Sequence, residues 1–307
     1  MVNTLFFIKK FFRFSILFLL ITILLNLSAQ AQNSPVMANG AKLTLISDQF
    51  SFTEGPAANK AGDVFFTDQP NNEIWEYNTK GQLSLFMKGT GRANGTFFAD
   101  NGNLITCSDK HDQLWSISPQ QKVTVLVKNF HGHRLNGPND LWIDPKGGIY
   151  FTDPYYQRSY WKRTKPDIKQ QRVYYLTPDR KKVFIVVNDL QKPNGIIGTP
   201  DGKTLYIADI KAGKTYSYSI DPNGHLSHKK LFTNLGSDGM TIDNRGDIYL
   251  CGNGVTIFNK MGKKIGHISV PQKWTANVTF GGANRKTLFI TASHALYTMK
   301  MKVKGVR

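Results

Sequence analysis

Four polar residues stand at matching places along this chain. Glu54 lies in Glu54-Gly55-Pro56, Asn139 in Gly137-Pro138-Asn139-Asp140, Asn194 in Pro193-Asn194-Gly195 and Asp238 in Ser237-Asp238-Gly239-Met240. Two carboxylates and two carboxamides offer only oxygen donors. Such a set suits Ca²⁺, Mg²⁺ or Mn²⁺ and does not exclude Zn²⁺. Taken singly, each reads as a turn residue ahead of a strand. What argues for a site is the shared register. If the repeats that follow them close into a ring, equal positions point to equal radius, and the four side chains converge on one axis. Asn94, in Ala93-Asn94-Gly95, holds the same position in a further copy.

The elements that must position these residues repeat along the chain. Gly62-Asp63-Val64-Phe65-Phe66-Thr67-Asp68 and Gly147-Gly148-Ile149-Tyr150-Phe151-Thr152-Asp153 are near copies. Segments ending at Ser108, Asp209, Gly252 and Ala292 complete six, spaced by roughly 40 to 56 residues. Each begins with a Gly, Asn or Asp turn and enters a short apolar strand. A second alternating strand follows, as in Glu73-Ile74-Trp75-Glu76-Tyr77, and several units add a third, as in Lys182 to Val187. No long helical periodicity appears after the first residues. Units of this length and strand content predict an all-β fold, a six-bladed β-propeller, whose blades cannot bury their faces alone. The segment near Ala41 to Ile46 is expected to supply the outer strand of the last blade. An open β-solenoid is the competing fold, but its repeats are usually shorter. In a propeller the innermost strand lines the channel, and residues just before it reach the mouth. Glu54 precedes the first copy, Asn94 the second, Asn139 the third, Asn194 the fourth and Asp238 the fifth.

Composition narrows the function classes. Lys9, Lys10 and Arg13 precede an apolar run from Phe14 to Leu27, and Ala29-Gln30-Ala31 fits a cleavage site. Residues 1–31 therefore read as a cleaved export signal and 32–307 as one propeller domain, periplasmic or secreted. No stable membrane insertion is expected once the signal is gone, and the alternative is an uncleaved anchor. Net charge is +18, falling to about +15 without the signal. The lysines are scattered apart from the tail, so a basic solvated surface fits better than nucleic-acid binding. Cys107 and Cys251 are the only cysteines. They sit at apolar positions of different repeats and read as two buried free thiols. There is no nucleophile elbow, phosphate loop or dinucleotide fingerprint.

From about residue 44 to 300 the chain resembles the gluconolactonase/regucalcin family. The resemblance is carried by Glu54-Gly55-Pro56, Leu135-Asn136-Gly137-Pro138-Asn139-Asp140-Leu141, Lys192-Pro193-Asn194-Gly195-Ile196 and Ser237-Asp238-Gly239-Met240. It implies a six-bladed propeller that hydrolyses a small sugar lactone with one divalent metal ion, Ca²⁺ foremost. It also implies that Glu54, Asn194 and Asp238 are metal ligands, that Asn139 lies at metal and substrate, and that Asp238 is the general base. The family's substrate-contacting arginine has its nearest candidate in Arg134. Asn94 and His111 are further substrate candidates. A carboxylate that binds metal loses basicity, so Asp109 or His111 could instead take the proton. His131 and His133 read as a loop near the mouth. The aromatic and basic insertion from Pro154 to Lys169 reads as a partial lid or as a surface loop burying its own rings. A non-catalytic ligand-binding or interaction propeller and a paraoxonase-like arylesterase are the competing functions.

Overall fold

The computed structural model describes residues 34–306, and the export-signal expectation lies outside the described residues. The described chain forms six four-stranded antiparallel sheets around a central channel, with no helix among the described residues. β1 (Thr44–Ser47) precedes the first blade in sequence but belongs to the sixth. The first blade then comprises β2 (Thr53–Ala58), β3 (Val64–Asp68), β4 (Glu73–Tyr77) and β5 (Leu83–Lys88). The second comprises β6 (Ala93–Phe98), β7 (Leu104–Ser108), β8 (Gln113–Ile117) and β9 (Val123–Val127). In the third are β10 (Leu141–Ile143), β11 (Ile149–Asp153), β12 (Arg172–Leu176) and β13 (Val183–Val187). The fourth holds β14 (Pro193–Gly198), β15 (Thr204–Asp209), β16 (Lys214–Ile220) and β17 (Leu226–Thr233). β18 (Met240–Ile242), β19 (Ile248–Gly252), β20 (Gly254–Phe258) and β21 (Lys264–Ile268) make the fifth. The sixth is β22 (Thr275–Gly281), β23 (Thr287–Ala292) and β24 (Ala295–Lys300), and β1 closes it from outside.

β1 pairs antiparallel with β24, Thr44 opposite Thr298 and Leu45 opposite Tyr297. The strand expected near Ala41 to Ile46 is thus present, displaced toward Ser47. The basic tail is tied down as well. Lys302 N donates to Val36 O, and Asn244 N donates to Lys304 O.

The repeat signature is the second strand of each blade (β3, β7, β11, β15, β19, β23), one place out from the axis. It is apolar on both faces because neighbouring blades cover it, and Phe66, Phe151 and Ile207 are completely buried. Aromatic rings fill the wedges between blades: Phe65 meets Phe86 and Phe98 edge-on, and Tyr249 meets Phe280 at 90°.

The signature's last residue has a positioning role. Asp153 accepts Asn136 N and Gly137 N, both at 2.9 Å. Asp209 accepts Gln191 N at 2.7 Å and Lys192 N at 2.9 Å, and Asp68 accepts Ser51 N and Phe52 N. In all three blades the clamped amide lies two residues before a candidate ligand: Phe52 before Glu54, Gly137 before Asn139, Lys192 before Asn194. The Thr-Asp or Ala-Asp ending of the repeat therefore fixes the loop that enters the channel-lining strand. The fifth blade has Gly252 there, and Ser237 Oγ takes over by accepting Cys251 N at 2.8 Å.

Candidate metal centre and its lid

Glu54, Asn94 and Asn194 lie within the innermost strands β2, β6 and β14, not before them, whereas Asn139 and Asp238 stand two residues ahead of β10 and β18. The difference has a local cause. The pairing of β2, β6 and β14 with their second strands slips between Glu54 and Ala57, Ala93 and Thr96, and Pro193 and Ile196. A bulge adds a residue to one strand and re-aims its side chain, here at the channel end where the inner strands begin. β22 slips in the same way between Thr275 and Asn277. Ala276 holds the sixth position of the register and brings no donor there, its backbone O accepting Gly239 N at 2.7 Å just as Asn139 O accepts Gly95 N. Asn277, like Asp140, stands where the other blades have glycine, and with no polar residue at 276 to mark the place the sequence did not single it out.

The inner strands crowd at this end, and that explains the glycine after most of the ligand positions. A Cβ on Gly195 would stand 2.1 Å from Asp238 O, and one on Gly239 would stand 1.8 Å from the Asn277 side chain. Neither gap admits a methyl group. The glycines let each inner strand press against the residue that the next blade contributes.

Glu54 is 4% exposed, Asn194 2% and Asp238 9%. Glu54 Oε2 accepts Gly55 N at 2.7 Å and Asn277 Nδ2 at 3.2 Å. Asp238 Oδ2 accepts Trp274 Nε1 at 2.6 Å, and the Asn194 side chain lies near enough to help stabilise this carboxylate. Burial and the nearby Asp238 carboxylate raise the Glu54 pKa well above its usual range. Burial pushes Asp238 up to about 6, against the pull of Trp274, Asn194 and Arg158. Asp140, beside Asn139, is pushed up to about 7 by burial, with Asp238 adding to the rise. Among the described residues no group of three or more His, Cys, Asp or Glu side chains is placed to hold a metal, so any set must draw on other oxygens, and carboxamides are at hand. Two are available: Asn94 Oδ1 and Asn194 Oδ1 are buried without a hydrogen-bond partner. Buried, mutually repelling carboxylates beside orphaned carbonyl oxygens fit a divalent cation, which would neutralise the former and satisfy the latter. Asn139 is buried at the same end, its backbone O accepting Gly95 N at 2.7 Å.

The insertion after β11 folds over this end. Tyr156 OH accepts Asn194 Nδ2 at 3.0 Å, so the insertion reaches the ligand set directly. Its root is held by Arg163, which donates to Asp112 at 2.6 Å, to Leu135 O at 3.0 Å and to Asn136 O. Its tip is held by Asp109, which accepts Gln69 Nε2 at 3.0 Å and the Tyr160 hydroxyl, while Trp161 Nε1 donates to Asp109 O. Of the two readings of this insertion, lid and self-packed loop, both apply: it packs its own rings and contacts the centre.

Several sequence-predicted residues sit elsewhere. Arg134 is half exposed and pairs with Asp167 at 3.5 Å, so it faces the root of the insertion rather than the ligand set. His111 is exposed and stacks on Trp115 with centroids 5.1 Å apart. Asp109 is committed to anchoring the insertion. His131 and His133 flank an exposed turn in which Phe130 N donates to His133 O. Cys107 and Cys251 are buried and free, as expected. Trp274, Arg158 and Asp140 were not singled out from sequence. Asp140 was within reach of it, standing next to Asn139 in the same motif, whereas nothing local marks Trp274.

The family profile described as SMP-30/Gluconolactonase/LRE-like region matches residues 52–294. A gluconolactonase of Zymomonas mobilis is 29% identical over 296 residues, covering 86% of this chain and 82% of that protein. The lactonase Drp35 of Staphylococcus aureus is 32% identical, covering 72% of this chain and 64% of that protein. Among solved structures, a gluconolactonase from Xanthomonas campestris superposes with a TM-score of 0.80 at 26% identity, covering 88% of this chain and 95% of that one.

Proposed function

The chain belongs to the SMP-30/gluconolactonase/LRE-like family, and from that membership we propose that it is a lactone-hydrolysing enzyme that opens a sugar lactone with the help of one divalent metal ion. Glu54, Asn194 and Asp238 would hold the ion, with Asn139 and Asn94 beside them. The observation that carries this reading is the pairing of two buried carboxylates of raised pKa with two orphaned carboxamide oxygens. An oxygen-only set favours Ca²⁺, with Mg²⁺ or Mn²⁺ next. The named activities of the relatives support lactone hydrolysis, and the leader-like first residues support export to a periplasmic or extracellular space.

When bound, the ion supplies Lewis-acid polarisation of the lactone carbonyl and stabilises negative charge developing on its oxygen. The chain's own residues do the rest. Asp238 is held by Trp274 Nε1 at 2.6 Å, which tethers its carboxylate at the reacting centre. It accepts a proton as a water oxygen bonds to the carbonyl carbon. The ring C–O bond then breaks, the proton passes to the leaving alkoxide, and the product is the open hydroxy acid. Tyr156 and Trp274 cover the centre and limit access of bulk water. Asp109 and His111 are engaged with the insertion and with Trp115, which leaves Asp238 as the base.

The test follows acid release from a panel of aldonolactones by chelated protein, then with Ca²⁺, Mg²⁺, Mn²⁺ or Zn²⁺ restored, beside Asp238→Asn. Turnover that returns with one metal and is absent from the folded variant is the expected result. A folded, metal-binding protein inert on every lactone would turn the reading toward a binding propeller.

A further inference from the structure

The insertion brings more to the centre than cover. Arg158 lies with its guanidinium carbon 5.4 Å from the Tyr156 ring centroid, and Lys192 Nζ lies 4.2 Å from the same centroid. Arg92 lies 4.2 Å over Tyr160. Tyr160 donates its hydroxyl to Asp109, and Asp109 Oδ2 stands 2.8 Å from Arg158 Nε. A continuous arc therefore runs through Arg92, Tyr160, Asp109, Arg158, Tyr156 and Lys192, with three cations for one carboxylate. One end of it abuts the ligand set, through Tyr156 OH and Asn194.

Arg92 is partly used by the fold, donating to Pro70 O at 2.9 Å, whereas Arg158 and Lys192 keep donors to spare. Asp109 approaches Arg158 at Nε, without a well-directed N–H bond, and neither terminal guanidinium nitrogen has a hydrogen-bond partner among the described residues. Lys192 Nζ has neither an ion pair nor a hydrogen bond among the described residues. A cation resting on a ring face is held more weakly than one answered by an anion through charge-assisted hydrogen bonds in a water-poor site. The centre itself is close to neutral once two carboxylates face a divalent ion. The surplus positive charge therefore belongs to the arc.

We propose that Arg158 and Lys192 form an anion-binding subsite beside the metal centre, and that the substrate is a lactone bearing a second, anionic group, a carboxylate or a phosphate, remote from the reacting carbonyl. This rests on the lactonase reading and deepens it. The free edge of a guanidinium matches two oxygens of either group, and the lysine adds a point charge. A neutral aldonolactone leaves both cations unanswered.

The metal-loaded full chain is assayed on three substrates: a neutral glucono-lactone, an aldaric-acid monolactone and a phosphorylated glucono-lactone. One anionic lactone should exceed the neutral one in kcat/KM by about tenfold or more at low salt, with the margin shrinking as salt rises. Which anionic lactone leads separates carboxylate from phosphate. In Arg158→Gln and in Lys192→Gln the anionic-to-neutral ratio should fall about tenfold, mostly through KM. Lys230→Gln, on the exposed outer strand β17, should leave that ratio in place. Lys192→Gln keeps the test decisive even if loss of Arg158 frees Asp109 and loosens the insertion. A neutral lactone turned over as well as both anionic ones, or a ratio unmoved in both variants, overturns the proposal. If a folded, metal-bound protein turns over none of the three, the lactonase reading falls, and this subsite with it.

Discussion

Asp238→Asn should stabilise the metal-free protein near neutral pH while it removes activity. The folded-state pKa of Asp238 is pushed up to about 6, chiefly by burial. In the unfolded chain an aspartate titrates near 3.9. A raised folded pKa gives a contribution that is fully present below about pH 4 and is lost as pH rises through about 6. At about pH 7.5 the ionised carboxylate therefore costs the metal-free fold about 3 kcal/mol, and at about pH 4.5 only about 1 kcal/mol. Asparagine carries no charge and can still accept the Trp274 N–H, so it escapes most of that cost. The assay is thermal unfolding of chelated wild type and variant across this range. Taking the difference between the two proteins cancels the titration of distant groups. The variant should melt higher by on the order of 5 °C at about pH 7.5, with the gap closing on acidification. Saturating Ca²⁺ should reverse the order, because ligand at about a thousand times Kd adds about 4.1 kcal/mol to wild type and little to the variant. A variant that is less stable than metal-free wild type by the same amount at both pH values would refute the reasoning, since repulsion and burial of charge would then not govern this centre.

Other outcomes follow from single contacts. Trp274→Phe removes a donor to Asp238 worth about 1.5–3 kcal/mol; kcat should fall about tenfold or more while calcium affinity, read by calorimetry, changes less. Gly195→Ala puts a methyl 2.1 Å from Asp238 O. It should destabilise by about 1–3 kcal/mol in denaturant titrations and weaken metal binding, because the fifth blade's ligand must shift. Arg163→Met leaves Asp112 buried and unpaired, costing about 3–5 kcal/mol in chemical denaturation, and adding Asp112→Asn should recover part of it.

The ring was legible because its signal is redundant. Six copies of one apolar strand state the blade number even when single strands are ambiguous, and the X-Gly steps at Glu54, Asn94, Asn194 and Asp238 state the register. The innermost strands were harder. β10 and β18 are three residues long, and bulges interrupt β2, β6 and β14 where the ligand sits, so period-two alternation is broken just where function is built. Trp274 and Arg158 were invisible for another reason. Their roles are contacts between segments remote in sequence, from Trp274 back to Asp238 and from Arg158 back to Asp109, and no local pattern encodes them. Arg134 went the other way: closeness in sequence to Leu135-Asn136 suggested the centre, but its side chain follows Asp167 outward.

The position of the centre also ties chemistry to ring closure. Glu54 belongs to the first blade and Asn277 to the sixth, and their contact at 3.2 Å crosses the seam where the chain's two ends meet. The seam is also held at the rim, where β1 adds the outer strand to β24. If the ring springs open, Glu54 leaves Asp238, the repulsion between them is relieved, and nothing remains to hold a cation. The buried carboxylates thus oppose closure in the metal-free chain, and the proposed divalent ion at their meeting point would reverse that opposition. No single blade holds more than one or two of the oxygens involved. A ligand set spread over the ring cannot exist in a partly assembled one, which gives the repeat architecture a functional reason beyond the burial of its blade faces.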